Sequence, residues 1–179
     1  MVPSEPEALV EVVPYSPLWP SMFLEEQSVL QAVLAPWLVG KVEHVGSTAV
    51  PGIAAKPVID IMAPVRTLAE SKGAIEAVKA LGYLYYPYKP TGMHWFCKPS
   101  AAYRTHHLHI VPVASELWHQ RLAFRDVLRS NPKLAQAYAL LKLRLAEQYK
   151  NDREAYTEAK APFIHAALQA SYGGRPSAA

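Results

Sequence analysis

The residues best able to do chemistry lie in two short runs of this 179-residue chain. The first is His44-Val45-Gly46-Ser47-Thr48, followed shortly by Lys56-Pro57-Val58-Ile59-Asp60-Ile61. A Gly-Ser-Thr at the end of a strand offers backbone N–H groups and two hydroxyls where nothing bulky blocks approach, which is one way a chain holds phosphate. The same tripeptide also serves as an ordinary strand-ending turn capped by its own hydroxyls. Asp60 carries more information. In an extended run, Ile59 and Ile61 face one side while Val58, Asp60 and Met62 face the other. A carboxylate in so apolar a strand costs free energy unless it is paired, hydrogen-bonded or metal-bound.

The second run is Arg104-Thr105-His106-His107-Leu108-His109-Ile110-Val111. On a strand, His107, His109 and Val111 share one face, and two imidazoles about 7 Å apart can reach one metal, one phosphate or one acid. The competing possibility is a single satisfied core histidine with the other two exposed. Arg104 suits a carboxylate or phosphate fork. Arg121, Arg125 and Arg129 stand at i, i+4 and i+8 and form a basic stripe, whose commoner meaning is a solvated helix face. Cys97 stands away from any helix start in the sequence and is expected to be buried and inert.

The elements that must position these residues can be read from apolar periodicity and its interruptions. Leu9 to Val13 is a short β-prone run ended by Pro14. Ser21 is a good N-cap for a helix reaching about Ala35 and stopped by Pro36. Val42 to Val45 and Pro57 to Ala63 read as strands, with a tight loop or short helix between them. Thr67 to Leu81 reads as a helix stopped by Gly82. Strands follow near Tyr83 to Tyr88, His94 to Lys98 and His106 to Pro112. Three helices then run over Glu116 to Arg129, Lys133 to Tyr149 and Arg153 to about Ala170. The expected architecture is one domain over residues 1–172, with a mixed α/β core to residue 113 and a helical subdomain over 114–172. Residues 173–179 read as a disordered tail.

Composition narrows the function classes. Half the residues are hydrophobic (51%) and only 18% are charged, which fits a folded globular chain. No stretch approaches the roughly 20 apolar residues of a membrane span, and residues 1 to 20 lack the pattern of a signal peptide. With its single cysteine, the chain is expected to be cytoplasmic. The net charge of +3 hides an asymmetry: residues 1–40 hold five glutamates and no Lys or Arg. The excess of basic residues gathers later, around and after the histidine run, and favours a small phosphate-bearing ligand over an extended nucleic acid.

Across these motifs the sequence resembles the GrpB family, a group assigned to the nucleotidyltransferase superfamily. The resemblance rests on Tyr15 to Trp19 with Phe23, His44 to Gly52, Ala55 to Ile61, His106-His107-Leu108-His109, Phe124-Arg125-Asp126 and Leu128-Arg129, with Tyr138, Leu141 and Lys142 beyond. It implies a nucleotidyltransferase-like mixed β-sheet flanked by helices, an α/β (α+β) fold with a C-terminal helical segment. The superfamily pattern is a Gly-Ser turn for the phosphates, then a pair of acids on the next strand, then a third acid on a later strand. Gly46-Ser47 matches the turn and Asp60 the first acid. Met62 stands where the second acid would be, and His107 and His109 where the third would lie. That departure speaks against a two-Mg²⁺ mechanism, since one Asp with two His suits Zn²⁺, Mn²⁺ or Fe²⁺ better, or no metal at all.

Two functions follow as expectations. In the first, the chain is a nucleotidyl or phosphoryl transferase, or a hydrolase of a nucleotide-like molecule. Asp60, His107 and His109 would then be catalytic and would hold a divalent metal (Mg²⁺, Mn²⁺ or Zn²⁺). His44, Gly46, Ser47, Thr48, Lys56, Arg104 and Arg125 would bind phosphate or substrate. In the second, the chain keeps the phosphate turn without catalysis and binds a nucleotide, a coenzyme or an RNA end.

Overall fold

A computed structural model describes residues 9–173 of the chain. The first eight residues and the tail from 174 onward, where the absence of a leader and a disordered end were read, lie outside the described residues. The architecture is mixed α/β: a five-stranded mixed sheet with six α-helices among the described residues.

The strands are β1 (Glu43–Val45), β2 (Ile59–Val65), β3 (Leu84–Tyr86), β4 (His94–Pro99) and β5 (Arg104–Pro112), in the spatial order β1-β2-β5-β4-β3. Only the central pair, β2 with β5, is parallel; its register sets Asp60 opposite His107 and Met62 opposite His109. Because side chains alternate across a sheet, this register puts Asp60, His107 and His109 on one face. The opposite face carries Ile59, Ile61, Ala63, Leu108 and Ile110, all buried. It is covered by α1 (Trp19–Val33) and α2 (Gly73–Lys79) through Phe23, Leu30, Ala74 and Val78. Each of those isoleucines contributes about 1.5–3 kcal/mol by leaving water.

The site face is roofed by α3 (Glu116–Ser130), α4 (Pro132–Gln148), α5 (Arg153–Glu158) and α6 (Ala161–Gly173). Met62 and Val111 pack there against Val45 and the Trp118 ring of α3. Val50 and Ile53, from the segment after β1, pack on Leu128, Ala135 and Tyr138. Tyr156 of α5 joins Val10 and Leu145.

Several elements differ from expectation. Helix α1 begins at Trp19, with Pro20 in its first turn, and the Ser21 hydroxyl donates back to the Leu18 carbonyl instead of capping the helix. Of the helix read over Thr67 to Leu81, only Gly73–Lys79 is α-helical. The Thr67 hydroxyl accepts the Glu70 N–H and holds the preceding segment in turns. Leu9 to Val13 forms no strand of the sheet: Val13 makes an isolated bridge with Ala55, and Val10 donates to the Lys150 carbonyl. The last helix is broken at Lys160, where Pro162 occupies the first turn of α6 and supplies no backbone donor to continue α5. The Gly82 stop has the positive φ (84°) that ends a helix without a Cβ clash.

Candidate functional site

Asp60 lies partway along β2 with 28% of its side-chain surface accessible. Its Oδ1 is 3.0 Å from His107 Nδ1 and 3.8 Å from His109 Nε2. The first distance is a hydrogen bond and the second is not. An ionised carboxylate only accepts, so His107 carries its proton on Nδ1 and leaves an Nε2 lone pair. That Nε2 is buried and has no hydrogen-bond partner. Burial works to raise the Asp60 pKa, but the contacts with His107 and His109 outweigh it and hold the carboxyl well below its ordinary range. Burial lowers the pKa of His107, against the pull of Asp60, so the imidazole is neutral near pH 7.

His109 is 4% exposed and is held from both sides. Its Nε2 accepts from the Arg121 guanidinium at 3.2 Å, and its Nδ1 stands 3.3 Å from Met93 Sδ. Burial, then the Arg121 charge, push it down to about 3.

The backbone makes room for this group at Gly46, whose φ of 72° and ψ of −173° belong to glycine. A Cβ there would stand 2.6 Å from Asp60 Oδ2. The turn after β1 is thus seated directly on the carboxylate, and the 3₁₀ turn Ser47–Ala49 follows it. The turn's other polar groups are engaged within the protein. His44 stacks on Phe23 with ring centroids 4.6 Å apart and contacts the Thr48 hydroxyl at 2.9 Å. That hydroxyl donates to the Val58 carbonyl. Burial, partly opposed by Asp60, holds His44 down to about 4. Ser47 stands beside the Tyr138 phenol.

Of the arginine stripe of α3, expected to be a solvated face, Arg129 is exposed while Arg121 and Arg125 are turned onto the protein. Arg121 is directed at His109, Arg125 bonds Glu43, Asp126 and the His44 carbonyl, and Arg129 donates to the Ala49 carbonyl. All three fasten α3 to β1, its turn and β5. Arg125, read as a phosphate ligand, therefore holds protein groups here, and Arg121 is the stripe residue beside the acid. Arg104 lies at the margin, its guanidinium 5.3 Å from the Trp95 ring centroid and its Nε on the Ala101 carbonyl. Trp95 in turn neighbours His107, with ring centroids 5.2 Å apart. Lys56 approaches from the chain before β2, its Nζ 4.9 Å from the Tyr156 ring centroid. Cys97 is buried, as expected.

Met62 shows why a second acid has no role at its position: it is 0% exposed and packed among Val45, Val111 and Trp118, where a carboxylate would be stranded. The remaining donors, one carboxylate and two imidazoles, have ligand atoms within 4.8 Å of one another. By donor type and spacing they fit a borderline transition metal such as Zn²⁺ and not Mg²⁺. Binding it requires exchanging two contacts, the His107 Nδ1–H on Asp60 and the Arg121 guanidinium on His109.

Sequence reasoning missed that Lys142 and Lys160 gather with Lys56 on the Tyr138 and Tyr156 rings. Lys142 sits within a run of leucines and Lys160 in a helix break, and neither position carries a local signal.

A mixed five-stranded sheet with an acid and two histidines at its central parallel pair, under a helical roof, defines the class. Within that class, the family described as GrpB protein matches residues 9–170, and the chain belongs to it. A solved structure, the conserved protein GrpB from Enterococcus faecalis, superposes with a TM-score of 0.79 at 32% identity, covering 90% of this chain and 99% of that one. UPF0157 protein PA4798 of Pseudomonas aeruginosa is 39% identical over 84% of this chain and 63% of its own length. UPF0157 protein YqkA of Bacillus subtilis is 33% identical over 90% of this chain. This chain spans only 47% of that relative's length. Glutamate-rich protein GrpB of Alkalihalophilus pseudofirmus is 35% identical, over 87% of this chain and 91% of its own length.

Proposed function

We propose that this chain binds a phosphate-bearing small molecule of nucleotide type in the recess over Asp60 and transfers or hydrolyses its nucleotidyl or phosphoryl group. The observation that carries this reading is the Asp60–His107 pair, in which the carboxylate orients a neutral imidazole and leaves Nε2 without a partner. A base held by an orienting acid is the arrangement general-base catalysis requires. An acceptor hydroxyl or water gives its proton to His107 Nε2 as its oxygen forms the new bond to phosphorus. The bond from phosphorus to the leaving phosphate oxygen breaks with its electron pair on that oxygen. Asp60 stabilises the imidazolium that results, and Arg121 with Lys56 offsets the charge gathering on the phosphoryl oxygens. A divalent transition metal held by Asp60, His107 and His109 would replace this general base, since it would take the imidazole lone pair, and would supply Lewis-acid polarisation of the phosphoryl oxygens in its stead. The single cysteine and the modest basic excess suit a cytoplasmic protein acting on small molecules and not on extended nucleic acid.

The test is incubation with a nucleotide panel, with and without Zn²⁺ or Mn²⁺, read by mass spectrometry. Turnover is expected in the wild type, reduced by about 10²-fold or more in Asp60→Asn and His107→Gln. No turnover of any nucleotide under any metal condition overturns the catalytic reading. Met62, buried where the superfamily places an acid, favours a second reading: a nucleotide or coenzyme binder without catalysis. It predicts a ligand-induced rise in Tm that survives both chelation and Asp60→Asn.

A further inference from the structure

Three lysines from distant parts of the chain gather on two tyrosine rings, those of Tyr156 and Tyr138. Lys56 precedes β2, Lys142 lies on α4, and Lys160 occupies the break between α5 and α6. The Nζ atoms of Lys56 and Lys160 stand 4.9 and 4.4 Å from the centroid of one ring, that of Tyr156, which is 1% exposed. Lys142, 2% exposed, holds its Nζ 5.0 Å from the Tyr138 ring and donates to the Ala54 carbonyl. Among the described residues, none of the three has a carboxylate within ion-pair distance. The acid whose charge reaches Lys56 and Lys160 is Asp60, already engaged by His107.

Burial, then the charge of Lys160, hold Lys56 and Lys142 down to about 7, and burial holds Lys160 to about 8. Contacts with aromatic faces offset part of the cost of burying ammonium groups but supply no countercharge. Lys56, Lys160 and Arg121 therefore share the charge of one carboxylate and Lys142 adds a further amine, and the missing negative charge is the property a ligand would bring. A phosphate monoester carries about −1.5 to −2, and a second phosphoryl group adds roughly one more, which matches the excess better. We infer that Lys56, Lys142 and Lys160, gathered around Tyr156 and Tyr138, form the subsite for a diphosphate group, with the C-terminal helices contributing two of its three cations. This rests on the reading of the recess as a phosphate-ligand site and names the ligand's anionic part. It also places the diphosphate on the lysine side and the reacting phosphorus toward His107.

Calorimetric titration of the full chain with inorganic pyrophosphate and with inorganic phosphate tests it. Pyrophosphate is expected to bind at least tenfold more tightly than phosphate. Lys56→Met and Lys160→Met, which keep the aliphatic stem, are each expected to weaken pyrophosphate at least tenfold, while Lys133→Met on the exposed side of α4 changes nothing. Asp60→Asn removes a negative charge near the lysines and is expected to bind pyrophosphate at least as tightly as the wild type, while lysine-dependent pyrophosphate binding in a protein that turns over no nucleotide fails the catalytic reading and leaves this one standing. Equal pyrophosphate affinity in wild type, Lys56→Met and Lys160→Met overturns the subsite, even if nucleotides are turned over. Should a variant not fold, amine labelling of the wild type at pH 7.5 decides by peptide mass spectrometry. Protection of Lys56 and Lys160 by pyrophosphate supports the subsite, and unchanged labelling overturns it.

Discussion

Arg121 and a metal ion need the same electron pair. The guanidinium donates to His109 Nε2, the lone pair a transition metal would take, and it adds positive charge beside Asp60. Arg121→Met removes both obstacles while keeping an unbranched stem in the roof, at the cost of a cation beside Asp60. The expected outcome is Zn²⁺ affinity at least tenfold higher than in the wild type, measured by competition with a chromophoric chelator. Equal affinity in the two proteins means that the guanidinium does not contest the site. At this scale much was legible. Alternation along a strand was enough to put His107 and His109 on one face, and an aspartate among Val58, Ile59, Ile61 and Met62 announced a partner. The family resemblance grouped Asp60 with His107 and His109, but local sequence did not show the direct hydrogen bond, because Asp60 and His107 meet only through the parallel β2–β5 register, which pairs residues 47 apart. Arg121 was visible as part of a stripe, but periodicity alone does not tell a solvated face from one turned inward on backbone carbonyls and a histidine.

The elements are held in register by polar ties as well as by the core. Glu26 of α1 accepts from the Tyr83 hydroxyl at 2.9 Å through one oxygen and from Lys98 Nζ at 2.6 Å through the other, joining the helix to β4 and to the start of β3. Its side chain is 12% exposed and that of Lys98 is 21% exposed, so solvent replaces these contacts poorly. Glu26→Ala leaves a partly buried ammonium and a buried phenol without their acceptor, and is expected to cost about 2 kcal/mol in urea unfolding. A change below about 0.5 kcal/mol means that the tie is a surface pair in effect. No local pattern points to such a contact across 72 residues. Strand and helix order was readable from periodicity and punctuation. The errors fell where side chains compete with helical hydrogen bonding, at Thr67, or where a proline ends one helix and starts another, at Pro162.

Over the whole molecule, the basic excess of the later sequence was apparent from counting, but the gathering of three lysines on the Tyr156 and Tyr138 rings was not. Lys56, Lys142 and Lys160 converge only after α4, α5 and α6 fold over the sheet. This convergence sets the pH dependence of stability. Each of the three has a folded pKa below that of the unfolded chain, so between about pH 7 and pH 10 the unfolded state binds more protons, and stability rises with pH. The groups acting on them are Asp60, Arg104, Arg121 and Arg153, with no acid besides Asp60 to reverse the sign. The buried His44, His107 and His109, also shifted down, extend the rise below pH 6.5, while Asp60 loses its contribution only at strongly acidic pH. Tyr83, Tyr138 and Tyr156, all shifted up, reverse the trend above about pH 10. Ligand-free protein is therefore expected to gain stability from pH 6 through 7.5 to 9 in chemical unfolding. A diphosphate binds the protonated amines, so the stabilisation that added pyrophosphate confers should shrink over the same range. A ligand-free curve that is flat or falling between pH 7 and 9 would mean the lysines are fully protonated in the recess, with their charges neutralised by some other means.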